Sequence, residues 1–160
     1  MGTGLQFQTT EKAQAGAAVV SALSTNSWTI SFWAKRAVAN VHSEYLNLGT
    51  AGSLYYNYLG NMYWSIGNGD FGGSTPMVAN TFYLWTMVRD GSTFTMYKNG
   101  VYVTSGTNTA TYTPTAIYFG GYGTNYANTR TLDDVRVYNR ALIPTEITQL
   151  YNNGEGTEAE

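Results

Sequence analysis

The stretch Phe82-Tyr83-Leu84-Trp85-Thr86-Met87-Val88-Arg89-Asp90-Gly91-Ser92-Thr93-Phe94-Thr95-Met96-Tyr97-Lys98-Asn99-Gly100-Val101-Tyr102-Val103-Thr104-Ser105 decides the fold. Phe82–Arg89 is rich in the aromatic and apolar residues that fit a pleated surface, and Asp90-Gly91 then offers a turn. Over Thr93–Lys98 the residues alternate, with Phe94 and Met96 on one face and Thr95 and Tyr97 on the other. Asn99-Gly100 suits a two-residue type I′ hairpin, because both of its central positions need positive φ. Val101 and Val103 then face opposite to Tyr102 and Thr104. The pattern predicts a three-stranded antiparallel meander.

Working outward, further strands are predicted at Thr29–Arg36, Tyr45–Leu48, Leu54–Leu59, Met62–Ile66, Ala116–Gly120 and Leu132–Tyr138. In the first, Ile30, Phe32 and Ala34 share one face and Ser31, Trp33 and Lys35 the other. Gly60-Asn61 supplies a hairpin turn. So many short strands separated by turns imply an all-β sandwich or barrel. One helix is expected near the C-terminus: Pro144 suits its first turn, Glu146 meets the positive end of its dipole, and Ile147, Leu150 and Tyr151 form an apolar stripe. Gly154 is its natural stop. Residues 1–152 read as a single domain and 153–160 as an acidic tail, frayed or serving as a contact arm.

Composition narrows the chemistry. Fourteen Tyr, four Trp and six Phe accompany many Thr, Asn and Gly, while only 11% of the 160 residues are charged. A net charge of −2 without a basic run argues against a nucleic-acid partner, which would need a positive patch. The lack of cysteine removes disulfides, thiolate catalysis and zinc–thiolate sites. No apolar run reaches the roughly 18 residues of a membrane span. Met1-Gly2-Thr3-Gly4-Leu5 lacks the basic and apolar regions of a secretory signal.

Four segments resemble one family. Leu132-Asp133-Asp134-Val135-Arg136-Val137-Tyr138-Asn139-Arg140-Ala141-Leu142, with Thr145-Glu146-Ile147 and Leu150-Tyr151 after it, resembles the closing strand and helix of the laminin G-like, concanavalin A-like jelly rolls. Trp28-Thr29-Ile30-Ser31-Phe32-Trp33-Ala34-Lys35 is similar to that family's early strand, Trp85–Val101 to its central meander and Leu5-Gln6-Phe7 to its opening strand. The resemblance implies an all-β, two-sheet antiparallel jelly-roll sandwich with one short C-terminal helix. It also implies a candidate structural calcium, held in part by Asp133. The chain departs from the family at Gln8-Thr9, where members often carry Asp-Gly, and at Ile143, where they often carry a Ser or Thr helix cap. The helix is therefore expected to lean on Leu142, Ile147 and Leu150.

The fold hosts lectins, adhesion domains, virion proteins and some glycosidases, so function rests on the site. Glycoside hydrolysis needs two carboxyls roughly 5–10 Å apart. The sequence has no Glu-x-Asp-x-Glu, and Asp133 and Asp134, being adjacent, point to opposite faces of a strand. An enzyme is not expected. His42, the single histidine, reads as a surface loop residue. Two loops have a sugar-binding composition of aromatics with Asn, Asp and Arg: 67–73, offering Asp70 and Phe71, and 121–130, offering Tyr122, Asn125, Tyr126, Asn128 and Arg130. An alternative for both is that Gly and Asn make turns while Phe71 and Tyr126 cover the core. Tyr55, Tyr56, Tyr58, Tyr63 and Trp64 concentrate aromatics on two strands, with Leu54, Tyr56 and Tyr58 opposite to Tyr55, Asn57 and Leu59. Those facing out would make a sugar platform or a protein interface.

The expected role is a non-catalytic surface interaction or adhesion module, with a glycan or a protein surface as partner. The leading expectation is a component of an assembly, such as a bacteriophage capsid decoration or tail-fibre protein forming a homo-oligomer or docking on a virion. It draws on composition, on Met1 and on the missing signal, and it places the chain outside the cell or on a virion surface. The alternative is a lectin-like carbohydrate-binding module, alone or excised from a larger protein.

Overall fold

The computed structural model describes residues 5–7, 11–38, 42–49, 52–57, 61–66, 69–72, 75–109, 113–120 and 129–155. Its first sheet runs in the order β1 (Leu5–Phe7), β12 (Arg130–Tyr138), β3 (Ser27–Arg36), β8 (Tyr83–Asp90), β9 (Thr93–Lys98), β10 (Val101–Thr107). The second runs β2 (Ala13–Gln14), β11 (Tyr118–Phe119), β4 (Ser43–Asn47), β5 (Gly52–Tyr56), β6 (Met62–Ile66), β7 (Gly69–Gly72). Every neighbouring pair is antiparallel. The architecture is the expected two-sheet jelly-roll sandwich.

The meander forms as read. Asn99 and Gly100 hold φ of 53° and 76°, and the Asn99 side-chain oxygen accepts the Leu84 N–H at 2.9 Å. Phe94 and Met96 enter the core, whereas Tyr97 faces out. The alternation in β10 breaks at a bulge: Tyr102 opposes Tyr97 but Thr104 already opposes Met96. Val103 is the extra residue, so strict alternation through Thr104 does not hold.

Ile30, Phe32 and Ala34 are fully buried between the sheets, with Trp28 beside them. Trp28 packs 5.5 Å from Trp64 of the second sheet and 6.2 Å from Phe94, joining the layers through aromatic contacts. A short helix, α1 (Ala17–Leu23), was not anticipated; it sets Leu23, Val19 and Val20 against one margin of this core.

The expected C-terminal helix, α2 (Pro144–Tyr151), covers the outer face of the first sheet. Ile147 and Leu142 pack on Val88, flanked by Tyr97, Tyr138 and Leu150. Thr29 fixes the approach, its hydroxyl donating to the Arg140 carbonyl and accepting the Leu142 N–H, each at 2.9 Å. Ile143 has no capping oxygen, but Glu146 accepts the Ile143 N–H at 3.0 Å. The helix ends at Tyr151, ahead of the expected stop at Gly154, because Asn152 and Asn153 already adopt left-handed φ of 42° and 53°.

Candidate functional site

The outer face of the second sheet carries the densest set of recognition-type side chains among the described residues. A bulge between Glu44 and Leu46 turns both Tyr45 and Leu46 inward, leaving Asn47 half-buried and Glu44, itself only 3% exposed, on the outer face. Leu46, Leu54, Trp64 and Phe71 then align across four strands on the core side. Their neighbours must align outside. One row is Glu44, Tyr55, Tyr63 and Gly72. The next is Gln14, Tyr118, Asn47, Ser53, Ser65 and Asp70, spanning all six strands. At about 4.8 Å per strand that row is roughly 24 Å long.

Three rings overlap in sequence. His42, just before β4, stacks on Tyr55 at 4.7 Å and 23°, and Tyr55 stacks on Tyr63 at 5.8 Å and 17°. Tyr63 lies over Gly72, where a Cβ would collide with the ring and stand 2.7 Å from the Met62 carbonyl oxygen. The missing side chain is what lets the ring settle onto the sheet. Tyr55 reaches across β6, and its hydroxyl donates to Asp70 at 3.1 Å. Asn47 donates to Glu44 at 2.8 Å, and Lys12 rests 4.4 Å above the Tyr118 ring. The surface is thus aromatic, rich in hydroxyls and amides, and held in place by its own contacts. His42 lies in the loop before β4, as expected, but is half-buried, and burial lowers its pKa.

The expected site residues separate. The 67–73 segment is not a loop throughout: β7 occupies Gly69–Gly72, so Asp70 and Phe71 point to opposite faces. Asp70 is exposed on the outer face, whereas Phe71 packs inward, 6.2 Å from Phe94 at 15° and over Gly106. Tyr122, Asn125, Tyr126 and Asn128 lie outside the described residues, as do Tyr58 and Leu59. Arg130 is buried in β12, 2% exposed, and donates to the Glu11 carbonyl at 3.4 Å. Sequence reasoning did not single out Asn47, Ser53, Ser65 or Tyr118. A two-residue turn at Gly60-Asn61 would have paired Tyr55 with Ile66, whereas Asn57 pairs with Asn61 and Tyr55 with Tyr63, so the register that sets Ser53 and Ser65 beside the tyrosines was not readable from that turn signal.

A family model described as the concanavalin A-like lectin/glucanases superfamily matches residues 7–148. The chain belongs to the concanavalin A-like lectin/glucanase superfamily. No curated protein matches it in sequence. Among solved structures, this superfamily member is similar to the binding domain of Paraclostridial Mosquitocidal Protein 1, with 18% identity and a TM-score of 0.75 over 94% of this chain and 43% of that one. It also resembles Trypanosoma rangeli sialidase, at 18% identity and a TM-score of 0.77 over 99% of this chain and 29% of the enzyme. A third is botulinum neurotoxin type C, whose cell entry depends upon interaction with two ganglioside molecules, at 12% identity and a TM-score of 0.71 over 92% of this chain and 42% of that one. The chain thus spans less than half the length of these structures, and at such identities the likeness is one of fold.

Superfamily membership raises two chemistries for testing against the residues. Calcium takes six to eight oxygens. Asp133 offers one: its Oδ1 accepts the Asp134 N–H at 2.9 Å, while Oδ2 is buried without a hydrogen-bond partner. Asp134, at φ 47° in a bulge of β12, instead pairs with Arg136 at 2.6 Å. Among the described residues no group of three His, Cys, Asp or Glu is placed to hold an ion, so those residues alone do not fit one; Gln8 lies outside them. Hydrolysis would need paired carboxyls. On the candidate face Glu44 and Asp70 stand three strands apart, about 14 Å by strand spacing, beyond the roughly 5–10 Å that the reaction uses.

Proposed function

We propose that the chain is a non-catalytic recognition module that binds glycan across the outer face of the second sheet. The observation that carries this reading is the Tyr55–Tyr63 stack, tied to Asp70 through the Tyr55 hydroxyl and flanked by Asn47, Ser53 and Ser65. Sugars present C–H patches and hydroxyls, and this face offers aromatic surface beside short polar side chains. Because the rings are already stacked, little side-chain entropy remains to be lost on binding. A row of roughly 24 Å suits a linear run of sugar units better than a single terminal one. The ganglioside dependence of the similar neurotoxin is compatible with this use of the fold.

The setting we read from composition is the surface of an assembly, such as a phage capsid decoration or a tail fibre. There a glycan-binding face would serve attachment. A glycan array on the purified chain, followed by calorimetry on the best ligand, tests the reading. Tyr63→Ala is expected to weaken binding tenfold or more, about 1.4 kcal/mol, and Asp70→Ala to weaken it likewise. Binding that survives both substitutions, or an array with no specific ligand, would overturn it.

A further inference from the structure

The first sheet ends at β10, and among the described strands nothing pairs with its outer edge. A bulge at Val103 interrupts that edge, but its side chains do little to blunt it. Its sequence, Val101-Tyr102-Val103-Thr104-Ser105-Gly106-Thr107, contains no charge and no proline, the residues that most often blunt an edge. Val101 is 68% exposed and Tyr102 57%. A groove of about 350 Å³ is lined by Thr75, Pro76, Lys98, Val101, Tyr102 and Val103. A free, uncharged edge therefore carries two exposed apolar side chains, one on each face of the strand.

We propose that β10 pairs antiparallel with β10 of a second copy, joining the two first sheets into one. A second copy is the occupant the edge itself favours. Antiparallel pairing is isologous, so one strand supplies both halves of the interface, and an uncharged strand meets its own copy without like-charge repulsion. Specific interfaces bury roughly 1,200–2,000 Å². Seven strand residues and the flanking Pro76 fall toward or below the low end of that range. The bulge at Val103 also shortens the stretch able to pair, so the contact is reversible.

The symmetry has a geometric consequence. Antiparallel strands side by side in one sheet are related by a two-fold axis perpendicular to the sheet. Both copies then turn the outer face of their second sheet the same way. If that face binds glycan as proposed above, the pair is bivalent toward a surface.

Sedimentation equilibrium of the full chain, from micromolar to millimolar concentration, tests the pairing without any ligand. The weight-average mass is expected to climb toward twice that of the monomer. Val101→Lys, at an exposed position where folding is little affected, is expected to hold it at the monomer value. Tyr63→Ala should dimerise as the parent does, which separates this inference from the glycan reading. A monomer at every concentration, or association that Val101→Lys leaves intact, would overturn it.

Discussion

At Gly72 a single hydrogen atom decides whether the candidate face exists. A methyl group there would meet both the Tyr63 ring and the Met62 carbonyl oxygen, and only the ring can move. Gly72→Ala is expected to lift Tyr63 off the sheet, costing about 1–3 kcal/mol by overpacking and weakening glycan binding as much as Tyr63→Ala does. Chemical denaturation and calorimetry on the same sample would check both. His42 at the other end of the stack gives a pH signature. Its folded pKa lies below the ordinary 6.5 because burial against Tyr55 disfavours the imidazolium. As pH falls through 6.5 the unfolded chain takes up a proton that the folded chain resists, so stability drops from there toward the lowered folded value. His42→Phe should flatten that slope in thermal melts between neutral and mildly acid pH. An unchanged slope would mean that His42 is freely hydrated.

At the scale of elements, α2 shows how a missing cap is replaced. Glu146 accepts the Ile143 N–H and takes Arg140 in two contacts of 2.8 and 2.6 Å, and these bonds hold its carboxyl at about 2. With a folded pKa below the ordinary value of 4.5, its contribution is present above that pH and is lost as pH falls toward 2. Glu146→Gln should remove this part of the acid transition, well below the His42 window. The same elements show what the sequence made legible. The meander, β3, β6 and α2 were readable because alternation, Asn-Gly and Pro144 act locally. The strand β7 was hidden because Gly69-Asp70-Phe71-Gly72 has loop composition and becomes a strand only by pairing with β6. Similarly, α1 is too short and too weakly capped to signal itself, and it forms by docking Leu23. Candidate residues could be listed by type, but Arg130 and Phe71 went inward because register, a non-local property, chose their faces.

For the whole molecule, the two sheets divide the work. Helix α2 covers part of the outer side of the first, whereas among the described residues Asp70 and the half-buried tyrosines remain accessible on the second, so the proposed recognition falls on the second sheet and the proposed pairing on the edge of the first. Because β10 and the tyrosine stack lie on different sheets, pairing and binding should be separable. A soluble oligosaccharide occupies one face at a time, so Val101→Lys is expected to bind it as tightly as the parent chain. A dense glycan surface engages both faces of a pair, and there the second contact is intramolecular, which can raise apparent affinity by about 10²–10⁴ when the spacing permits. The parent chain should therefore dissociate from a densely coated sensor far more slowly than Val101→Lys, and the difference should fade as the coating is thinned. Equal dissociation on dense and sparse coatings would show that the two faces do not act together, even if the chain dimerises in solution.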